Sequence, residues 1–395
     1  MRTSAPKSHA SPHPKSSPSA RKKVARKTST TSKSPAATPR RVEVTVTEVP
    51  PSDVTRTSDV RLVAPDPTRR VVALTGAASF LGANLVALLE EDERVSRILT
   101  LDVTPAKTAG PKTRMYELDL TESSAEARMA EILAAERVDT LVHLAFLSSP
   151  THAAAWAHEL ESVGTMHALV AARHAQVRKL VLWSQTMLYG AHPTNPNFLS
   201  ERHPLRASRA EPFFADKIAA EIEATKFGQR VVGSHVTILR TAPILGPTVR
   251  NYLTRYLARR FVPTMMGFDP LLQFVHEIDA IAAFKLAIDR DIPGTFNIVG
   301  DGVVPLSTAI KLAGRLAVPI PHPLAKSLTA LGWLAQVAEA PPSFLKYLRF
   351  LCVADGARAH AEMGFRPAYT SREALTDFTN AQRLRDVQLL QEAAT

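Results

Sequence analysis

Residues 75–82 combine the residue types of an anion-binding turn. Gly76 can adopt the sharp turn that ends a strand, and Gly82 lets the following helix lie close to that strand. The first N–H groups of a helix lack intrahelical partners and carry the positive end of the helix dipole, so such a turn suits phosphate. Twenty residues beyond Gly82, Asp102 ends a second apolar run. A dinucleotide-binding fold places there the carboxylate that accepts the ribose hydroxyls.

Ser79 occupies the position of the middle glycine in the usual G-x-G-x-x-G pattern, so the eight residues alone also fit an ordinary strand–turn–helix corner. The flanking sequence favours the dinucleotide interpretation. An apolar run at 71–74 predicts a buried strand, and the helical spacing after the turn predicts one apolar face, formed by Leu81, Leu85, Leu88 and Leu89. Because Asp102 repels a 2′-phosphate and no Lys or Arg follows before Lys107, we predict NAD rather than NADP as the cofactor.

A parallel sheet is needed to position these residues. From Arg70 onward strand and helix patterns alternate, which predicts an α/β fold, a doubly wound parallel sheet (Rossmann fold) with helices on both faces. Strands are predicted near 71–75, 97–102, 113–118, 139–145, 179–184 and 234–240, and helices near 80–91, 123–136, 153–175 and 211–228. After Arg240 the pattern loosens, as expected for a smaller lobe over the carboxyl ends of the strands. The predicted domains are a disordered basic arm (1–69), an NAD-binding Rossmann domain (70–240), a smaller C-terminal substrate lobe with returning sheet elements (241–375) and a C-terminal helical tail (376–395).

The first 69 residues differ in composition from the rest of the chain. They contain no glycine and no aromatic residue, and residues 1–42 carry eleven Lys or Arg and no acid. Such a segment is predicted to be disordered, although Val42, Val44 and Val46 hint at one strand. Residues 1–42 alone account for the net charge of +11. Nucleic acid or an anionic membrane surface are the partners that clustered cations suit, and a solvated extension without a partner is the alternative.

The remaining composition bounds the class of protein. A chain of 395 residues fits a two-lobed enzyme with a tail. Cys352 is the single cysteine, which excludes an intramolecular disulfide and a cysteine metal cluster, so no metal is predicted and a reducing, cytoplasmic compartment is expected. No apolar run is long enough to span a bilayer, and no apolar segment of a secretory signal follows the N-terminal charges.

Ten short motifs in a consistent order resemble the extended short-chain dehydrogenase/reductases, the NAD-dependent epimerase/dehydratase group. The glycine turn at 75–82 is similar to that family's TGxxGxxG turn. The others are Asp119-Leu120, residues 142–145, 163–165, Tyr189-Gly190, 217–221, 239–247, 274–279, 294–297 and 363–367. The resemblance spans about 300 residues and implies NAD as the cofactor. The cofactor-binding residues that it implies are Thr75, Gly76, Ser79, Phe80, Leu81, Gly82, Asp102, Asp119, Leu120, Leu144, Ala145 and Lys217.

At three positions this sequence differs from the catalytic pattern that the resemblance implies. Members of the family use a tyrosine as acid or base and a lysine four residues later that lowers the tyrosine pKa. Here Lys217 is present, but Phe213 stands at the tyrosine position and Gln185 at that of the catalytic Ser/Thr. Glu161 replaces the family's asparagine. The candidate catalytic residues are therefore Lys217, Gln185, Phe213 and Tyr189, with Thr186, His192 and Asp216 as other nearby proton donors.

Two function classes follow from these departures. The first is an oxidoreductase or epimerase-type enzyme with a replaced proton donor, and the second is a non-catalytic NAD(H)-binding regulator docked to a polyanion by its arm. A third, weaker hypothesis is a nucleic-acid-associated protein. A homodimer is a further partner hypothesis. His143, on an apolar strand, is expected to be a hydrogen-bonded core residue, and Asp119 alternatively caps the helix that follows it.

The second lobe offers two opposing indications of the substrate. Leucines at 324, 328, 331 and 334 have helical spacing and precede an aromatic-rich segment at 344–351, a pattern expected of a core. If part of this stripe faces the cleft, an apolar, lipid- or sterol-like ligand is implied. A nucleotide-sugar diphosphate would instead suit Tyr252, Arg255, Arg259 and Arg260, because Arg pairs bidentately with phosphate oxygens.

Overall fold

The computed structural model of the protein describes residues 70–392, with side chains as far as residue 386. The predicted basic arm and the strand suggested by Val42, Val44 and Val46 lie outside the described residues.

Strands and helices alternate through the described residues. The strands in chain order are β1 (Arg70–Thr75), β2 (Val95–Asp102), β3 (Thr113–Glu117), β4 (Thr140–His143), β5 (Lys179–Gln185), β6 (His235–Thr241), β7 (Ile244–Leu245), β8 (Phe261–Met265), β9 (Leu271–Leu272), β10 (Val275–His276), β11 (Gly294–Ile298), β12 (Val304–Pro305) and β13 (Leu316–Ile320). The helices are α1 (Phe80–Glu91), α2 (Ala125–Ala135), α3 (Ala154–His158), α4 (Gly164–His174), α5 (Pro212–Arg230), α6 (Tyr252–Ala258), α7 (Glu277–Asp289), α8 (Leu306–Leu312), α9 (His322–Leu334) and α10 (Ser371–Glu392). Short 3₁₀ turns cover Thr186–Tyr189 and Pro342–Leu348, and π turns cover Glu159–Val163 and Ala359–Met363.

Seven strands form one parallel sheet in the order β11-β6-β5-β4-β1-β2-β3. Every residue of β4 and β5 is buried, as expected where helices cover both faces of a parallel sheet. Strands β2 and β3 are added on one side of β1, and β4, β5, β6 and β11 on the other, so the strand order reverses between β1 and β4. This confirms the predicted doubly wound Rossmann fold.

Helix α1 buries the face that carries Leu81, Leu85, Val86 and Leu89 against the sheet. Leu88, predicted to share this face, is 38% exposed. The buried face is centred between Leu85 and Val86, so Leu88 lies at its edge. The predicted long helix at 153–175 is divided into α3 and α4 by the π turn Glu159–Val163.

The chain after β6 forms a second core and also returns to the sheet. Leu257, Phe274, Ile310 and Phe378 pack in that second core. Within this part of the chain, helix α7 leads to strand β11, and β11 pairs with β6 at the edge of the main sheet. The predicted boundary at 376 falls within α10, whose Leu375 and Phe378 are buried.

The leucine stripe of α9 is not part of the core. Leu324, Leu328, Leu331 and Leu334 are between 50% and 82% exposed. The expectation that this stripe is core is therefore wrong: its periodicity reflects an amphipathic helix whose apolar face no other described element covers. None of the helices in the described part of the chain has the length and apolar character to cross a bilayer.

Candidate cofactor and substrate site

The glycine turn between β1 and α1 has the geometry of a close-packed anion site. Gly76 has φ +66°, and a Cβ there would lie 2.7 Å from the carbonyl carbon of Leu144, at the end of β4. Ser79 caps α1, because its Oγ accepts a hydrogen bond from the Gly82 N–H at 3.1 Å. The serine at the middle-glycine position therefore has a structural function, and the turn remains tight without that glycine.

Asp102 ends β2 directly beside the glycine turn. Its Oδ2 accepts from the Ala78 N–H at 3.0 Å, and its Oδ1 accepts from the Val103 N–H at 2.8 Å. The half-buried carboxylate lies next to the turn that suits the pyrophosphate, so it fits the ribose hydroxyls of a dinucleotide.

Four other predicted cofactor residues line the same end of the sheet. Asp119 Oδ1 accepts from the Thr121 N–H at 2.9 Å and from its hydroxyl at 2.7 Å, so it caps a turn before α2. Leu120 beside it is 4% exposed, and Leu144 and Ala145 close over Gly76.

A crevice with a volume of about 210 Å³ opens at the carboxyl ends of the central strands. Phe80 and Leu81 of the glycine turn form one wall, and Trp183 and Gln185 of β5 form another. Convergence of the turn and the strand ends at one crevice is the arrangement that holds a dinucleotide in this class of sheet. The side chains present therefore fit the adenosine and pyrophosphate of NAD at the turn, with the crevice left for the nicotinamide end.

Lys217 is bound within the protein rather than directed into this crevice. Its Nζ lies 2.7 Å and 2.8 Å from the two carboxylate oxygens of Glu161, and both residues are at most 3% exposed. Glu161 also accepts from the Leu147 N–H at 2.6 Å. Burial raises the pKa of Glu161 and lowers that of Lys217, and their mutual attraction opposes both changes. The pair joins the π turn to α5, and Lys217 does not line the crevice.

Phe213 is packed in an aromatic cluster. Its ring centroid lies 3.7 Å from Lys217 Nζ and 5.6 Å from the ring centroid of Phe344, and it is 6% exposed. Phe213 is absent from the crevice lining, whereas Gln185 is part of it. Of the four candidate catalytic residues, the structure therefore brings only Gln185 to the crevice.

Tyr189 lies in a buried polar network outside the crevice. Its hydroxyl donates to Asn297 Oδ1 at 2.8 Å and accepts from Arg240 Nη1 at 2.7 Å, and Arg240 is paired with Glu221. Burial raises the pKa of Tyr189 to about 12. This position argues against Tyr189 as a replacement proton donor, because its phenol joins the 3₁₀ turn after β5 to β6 and β11 and lies outside the crevice.

The other nearby candidates are separated from one another. His192 Nε2 lies 3.1 Å from the Arg206 carbonyl oxygen on an exposed loop, and Asp216 Oδ1 accepts from His158 Nδ1 at 2.6 Å. Thr186 lines the apolar cavity described below. His143 is fully buried between Thr75 and Thr165, at 2.7 Å and 3.0 Å, and burial lowers its pKa to about 3.

A second cavity, with a volume of about 200 Å³, adjoins the crevice. Met187, Pro243 and Tyr252 form part of the wall of both. The Tyr252 hydroxyl donates to Met187 Sδ at 2.6 Å, and burial raises its pKa. Sequence reasoning missed Met187, which has no chemical signature, and placed Tyr252 with a diphosphate instead of in this wall.

The lining of this cavity is largely apolar. It includes Leu271, Leu272, Phe274, Phe344, Leu345 and Phe350, and Arg259 and Glu339 are its only charged members among the described residues. Arg259 and Arg255 both pair with Glu339, at 3.4 Å and 3.2 Å. Buried surroundings raise the pKa of the Cys352 thiol to about 12, so this lining residue is a neutral thiol at physiological pH.

Comparison with known proteins identifies the family. A family model described as the NAD dependent epimerase/dehydratase family matches residues 72–299. An uncharacterised protein of Mycobacterium tuberculosis is 33% identical over 320 residues, covering 80% of this chain and 85% of that protein. The 3-diazoavenalumate denitrifying reductase of a Streptomyces species is 27% identical over 319 residues, covering 76% of this chain and 97% of that protein.

Solved structures share the fold at low sequence identity. UDP-glucose 4-epimerase of Thermotoga maritima, crystallised with UDP-glucose, has a TM-score of 0.62 at 19% identity over 80% of this chain and 99% of its own. MoeE5 in complex with UDP-glucuronic acid and NAD has a TM-score of 0.61 at 22% identity over the same shares of the two chains. The family match and the matching sheet order lead to one conclusion: the chain belongs to the NAD-dependent epimerase/dehydratase family of extended short-chain dehydrogenase/reductases, whose cofactor is NAD.

Proposed function

We propose that this protein is an NAD(H)-dependent oxidoreductase that acts on a largely apolar hydroxy or keto substrate without the family's tyrosine–lysine proton relay. The observation that carries the proposal is the apolar cavity joined to the nicotinamide end of the crevice at Met187, Pro243 and Tyr252. A substrate held in that cavity would present one end to the crevice, because the two spaces share these walls.

The charges around the cavity favour an apolar substrate over a nucleotide sugar. A sugar diphosphate needs cations or N–H groups to compensate its negative charge. Arg255 and Arg259, which the sequence offered for that purpose, share the carboxylate of Glu339. Releasing them for phosphate would leave that acid without its partners.

Chemistry at the crevice would then depend on positioning more than on proton relay. The cofactor of this family supplies or accepts a hydride when bound. Gln185 lines the crevice at the end of β5, where its amide can donate a hydrogen bond to a substrate oxygen. Loss of a general acid typically slows a reaction by about 10²–10⁴-fold. Reduction of a ketone adds a hydride to the carbonyl carbon and a proton to its oxygen, and at this site that proton would come from water in the crevice. The Streptomyces relative, named as a reductase, is in keeping with redox chemistry.

The proposal is tested by cofactor oxidation. The full chain is given NADH and a panel of aromatic and alicyclic ketones beside UDP-glucose, and nicotinamide absorbance is followed in a stopped-flow instrument. We expect turnover with apolar ketones and none above background with UDP-glucose. Leu272→Lys, which places a charge in the cavity, should raise KM for the ketone at least about tenfold and leave the Kd for NAD unchanged. The matched control is Leu384→Lys, at an exposed position of α10. Faster turnover of UDP-glucose than of every ketone would overturn the proposal.

A second candidate function is that of an NAD(H)-binding regulator without turnover, and the Glu161–Lys217 pair favours it. In this case NAD binds in calorimetry, no substrate of the panel oxidises NADH, and activity appears only when the family's residues are restored. The restoring variant is Glu161→Asn/Gln185→Ser/Phe213→Tyr, which frees Lys217 and supplies a phenol. Oxidation of NADH by the wild-type chain with any substrate of the panel would count against this alternative.

The arm remains a sequence-based proposal. With eleven cations and no acid in residues 1–42, we expect it to bind polyanions with an affinity that falls steeply with salt, and this association complements either function. Proteolytic removal of residues 1–69 should abolish binding to heparin while leaving the Kd for NAD unchanged. Retention of heparin binding would refute the role of the arm.

A further inference from the structure

One phenol lies where the crevice and the apolar cavity meet. Tyr252 forms part of the wall of both spaces, and its hydroxyl donates to the Sδ of Met187, which also belongs to both walls. A thioether is a weak acceptor, so a substrate oxygen that reaches this point can accept the phenol hydrogen in its place. Tyr252 is therefore positioned to meet the polar end of a substrate whose apolar part occupies the cavity.

The other hydroxyl and charged side chains that line the crevice are poor proton donors. The remaining hydroxyl groups belong to Ser79, Ser148 and Thr241, and aliphatic hydroxyls are far weaker acids than a phenol. Arg250 also lines the crevice, but a guanidinium does not lose its proton in proteins. Among the described residues of the crevice wall, Tyr252 is thus the side chain best able to release a proton.

An aromatic cluster relates Tyr252 to the family's tyrosine position. The Tyr252 ring packs edge-on against Phe344, with ring centroids 5.3 Å apart, and Phe344 lies 5.6 Å from the ring of Phe213. Helix α5 contributes a ring without a hydroxyl to this cluster, and α6 contributes a phenol. The phenol of α6 is therefore one aromatic ring away from the residue that replaces the family's tyrosine.

The first turn of α6 holds Tyr252 in place. Asn251 Oδ1 accepts from the N–H groups of Leu253 and Thr254 at 3.0 Å and 2.9 Å. Thr254 Oγ1 accepts in return from the Asn251 N–H at 2.8 Å, which completes a capping box. The Asn251 side chain also donates to the Ile244 carbonyl oxygen at 2.8 Å. The residue that follows this cap, Tyr252, thus starts from a fixed backbone, as a proton donor requires.

We propose that Tyr252 is the residue that transfers the proton to the substrate oxygen, an inference that rests on the proposed ketone reduction. The carbonyl carbon receives the hydride of the reduced nicotinamide, and the π electrons of the C=O bond move onto the oxygen. As the O–H bond of the alcohol forms, the O–H bond of Tyr252 breaks. The phenolate then takes a proton from water in the crevice, so water remains the net source.

Two properties of the site suit this step. Burial raises the pKa of Tyr252, so the phenol carries its proton at physiological pH, and it can still protonate an alkoxide, which is more basic than a phenolate. Gln185 lines the same crevice, and its amide can donate a second hydrogen bond to the same oxygen. Tyr252 would then release the proton, and Gln185 would stabilise the developing negative charge.

The experiment compares Tyr252→Phe with the wild-type chain in the reduction of an aromatic ketone of the panel by NADH. We expect kcat to fall at least about 100-fold, because a general acid typically contributes about 10²–10⁴-fold. The Kd for the ketone, measured by calorimetry with oxidised NAD present, should rise only about two- to tenfold, as expected for one neutral hydrogen bond. The matched control, Tyr369→Phe, changes a tyrosine that lines neither space and should keep both values.

Buffer dependence separates proton transfer from packing. In Tyr252→Phe the proton must come directly from solvent, so the rate should rise with imidazolium concentration at constant pH and ionic strength, whereas the wild-type rate should not. An unchanged kcat in Tyr252→Phe would overturn the proposal and leave the oxidoreductase function intact. A loss of kcat that imidazolium does not relieve would assign Tyr252 to packing and would also overturn it. A wild-type chain that reduces no ketone would overturn both proposals.

Discussion

Lys217→Met tests whether the family's lysine serves the cofactor or the interior of this protein. The substitution leaves Glu161 buried with a single remaining hydrogen bond, from the Leu147 N–H at 2.6 Å. Removing one partner of a buried ion pair typically costs about 3–5 kcal/mol. Since about 1.4 kcal/mol corresponds to a factor of ten, we expect the folding equilibrium to fall by roughly two to four orders of magnitude.

The control lies on the same helix. Lys226 pairs with Glu223 at 2.7 Å, but the two side chains are 44% and 40% exposed, so Lys226→Met should cost less than about 1 kcal/mol. The double variant Glu161→Gln/Lys217→Met removes both charges and should recover most of the lost stability, because no uncompensated charge remains buried. Urea unfolding followed by tryptophan fluorescence gives all four free energies. If Lys217→Met costs no more than Lys226→Met, the ion pair does not have the importance that we assign to it.

The same variant reports on cofactor binding. A lysine that held the ribose hydroxyls would contribute a charge-assisted hydrogen bond worth about 1.5–3 kcal/mol, or roughly 10- to 150-fold in Kd. Because Lys217 is committed to Glu161, we expect calorimetry of Lys217→Met at a temperature where it remains folded to show less than a tenfold change in the Kd for NAD. A larger loss would refute this reading and restore the ribose role.

Three further predictions concern the turn, the ribose site and pH. Gly76→Ala should abolish NAD binding in calorimetry, since the new Cβ meets Leu144 at 2.7 Å. The control Gly233→Ala, at φ +82° with open space around it, should cost only about 1–2 kcal/mol in urea unfolding. Equal losses of unfolding free energy in the two variants would show that the clash is not the cause. Asp102→Asn should weaken NAD binding at least about tenfold and narrow the preference over NADP, and an unchanged ratio of the two Kd values would contradict the assignment. Burial gives His143 a pKa of about 3 in the folded state, against about 6.5 in the unfolded state. The unfolded state therefore binds more protons between these values, and the free energy of unfolding should fall by about 1.4 kcal/mol for each pH unit below 6.5. His143→Asn should flatten that pH dependence in urea titrations, and a slope that persists in the variant would assign it to other groups.

Local signals explain how much of the fold the sequence could predict. β1, the glycine turn and α1 follow one another within 22 residues, and their apolar spacing and glycines predicted them to within one residue. Beyond β6 the strands β7, β9, β10 and β12 have two residues each. Such strands exist because a distant partner pairs with them, so neither composition nor periodicity could reveal them.

The site shows the same limit. Glu161 was visible as a departure from the family pattern, but its partner is 56 residues away and is brought to it by the π turn. Tyr189 is close to Gln185 in sequence, yet its hydroxyl is directed to Asn297, 108 residues further along the chain. The leucines at helical spacing do lie on one helix, α9, but periodicity does not tell whether another element covers the apolar face that they form.

The position of β11 at the edge of the main sheet has a consequence for synthesis on the ribosome. Strand β6 is completed at Thr241, but its neighbour β11 ends only at Ile298, after most of the short strands have been made. During that interval β6 presents an unpaired edge, and other strands of the nascent chain must be kept from pairing with it. The Rossmann sheet therefore cannot be finished before part of the second lobe has emerged. A gene fragment that stops at residue 241 would encode a sheet with an open edge, and the lobe cannot be exchanged between relatives without also carrying that strand.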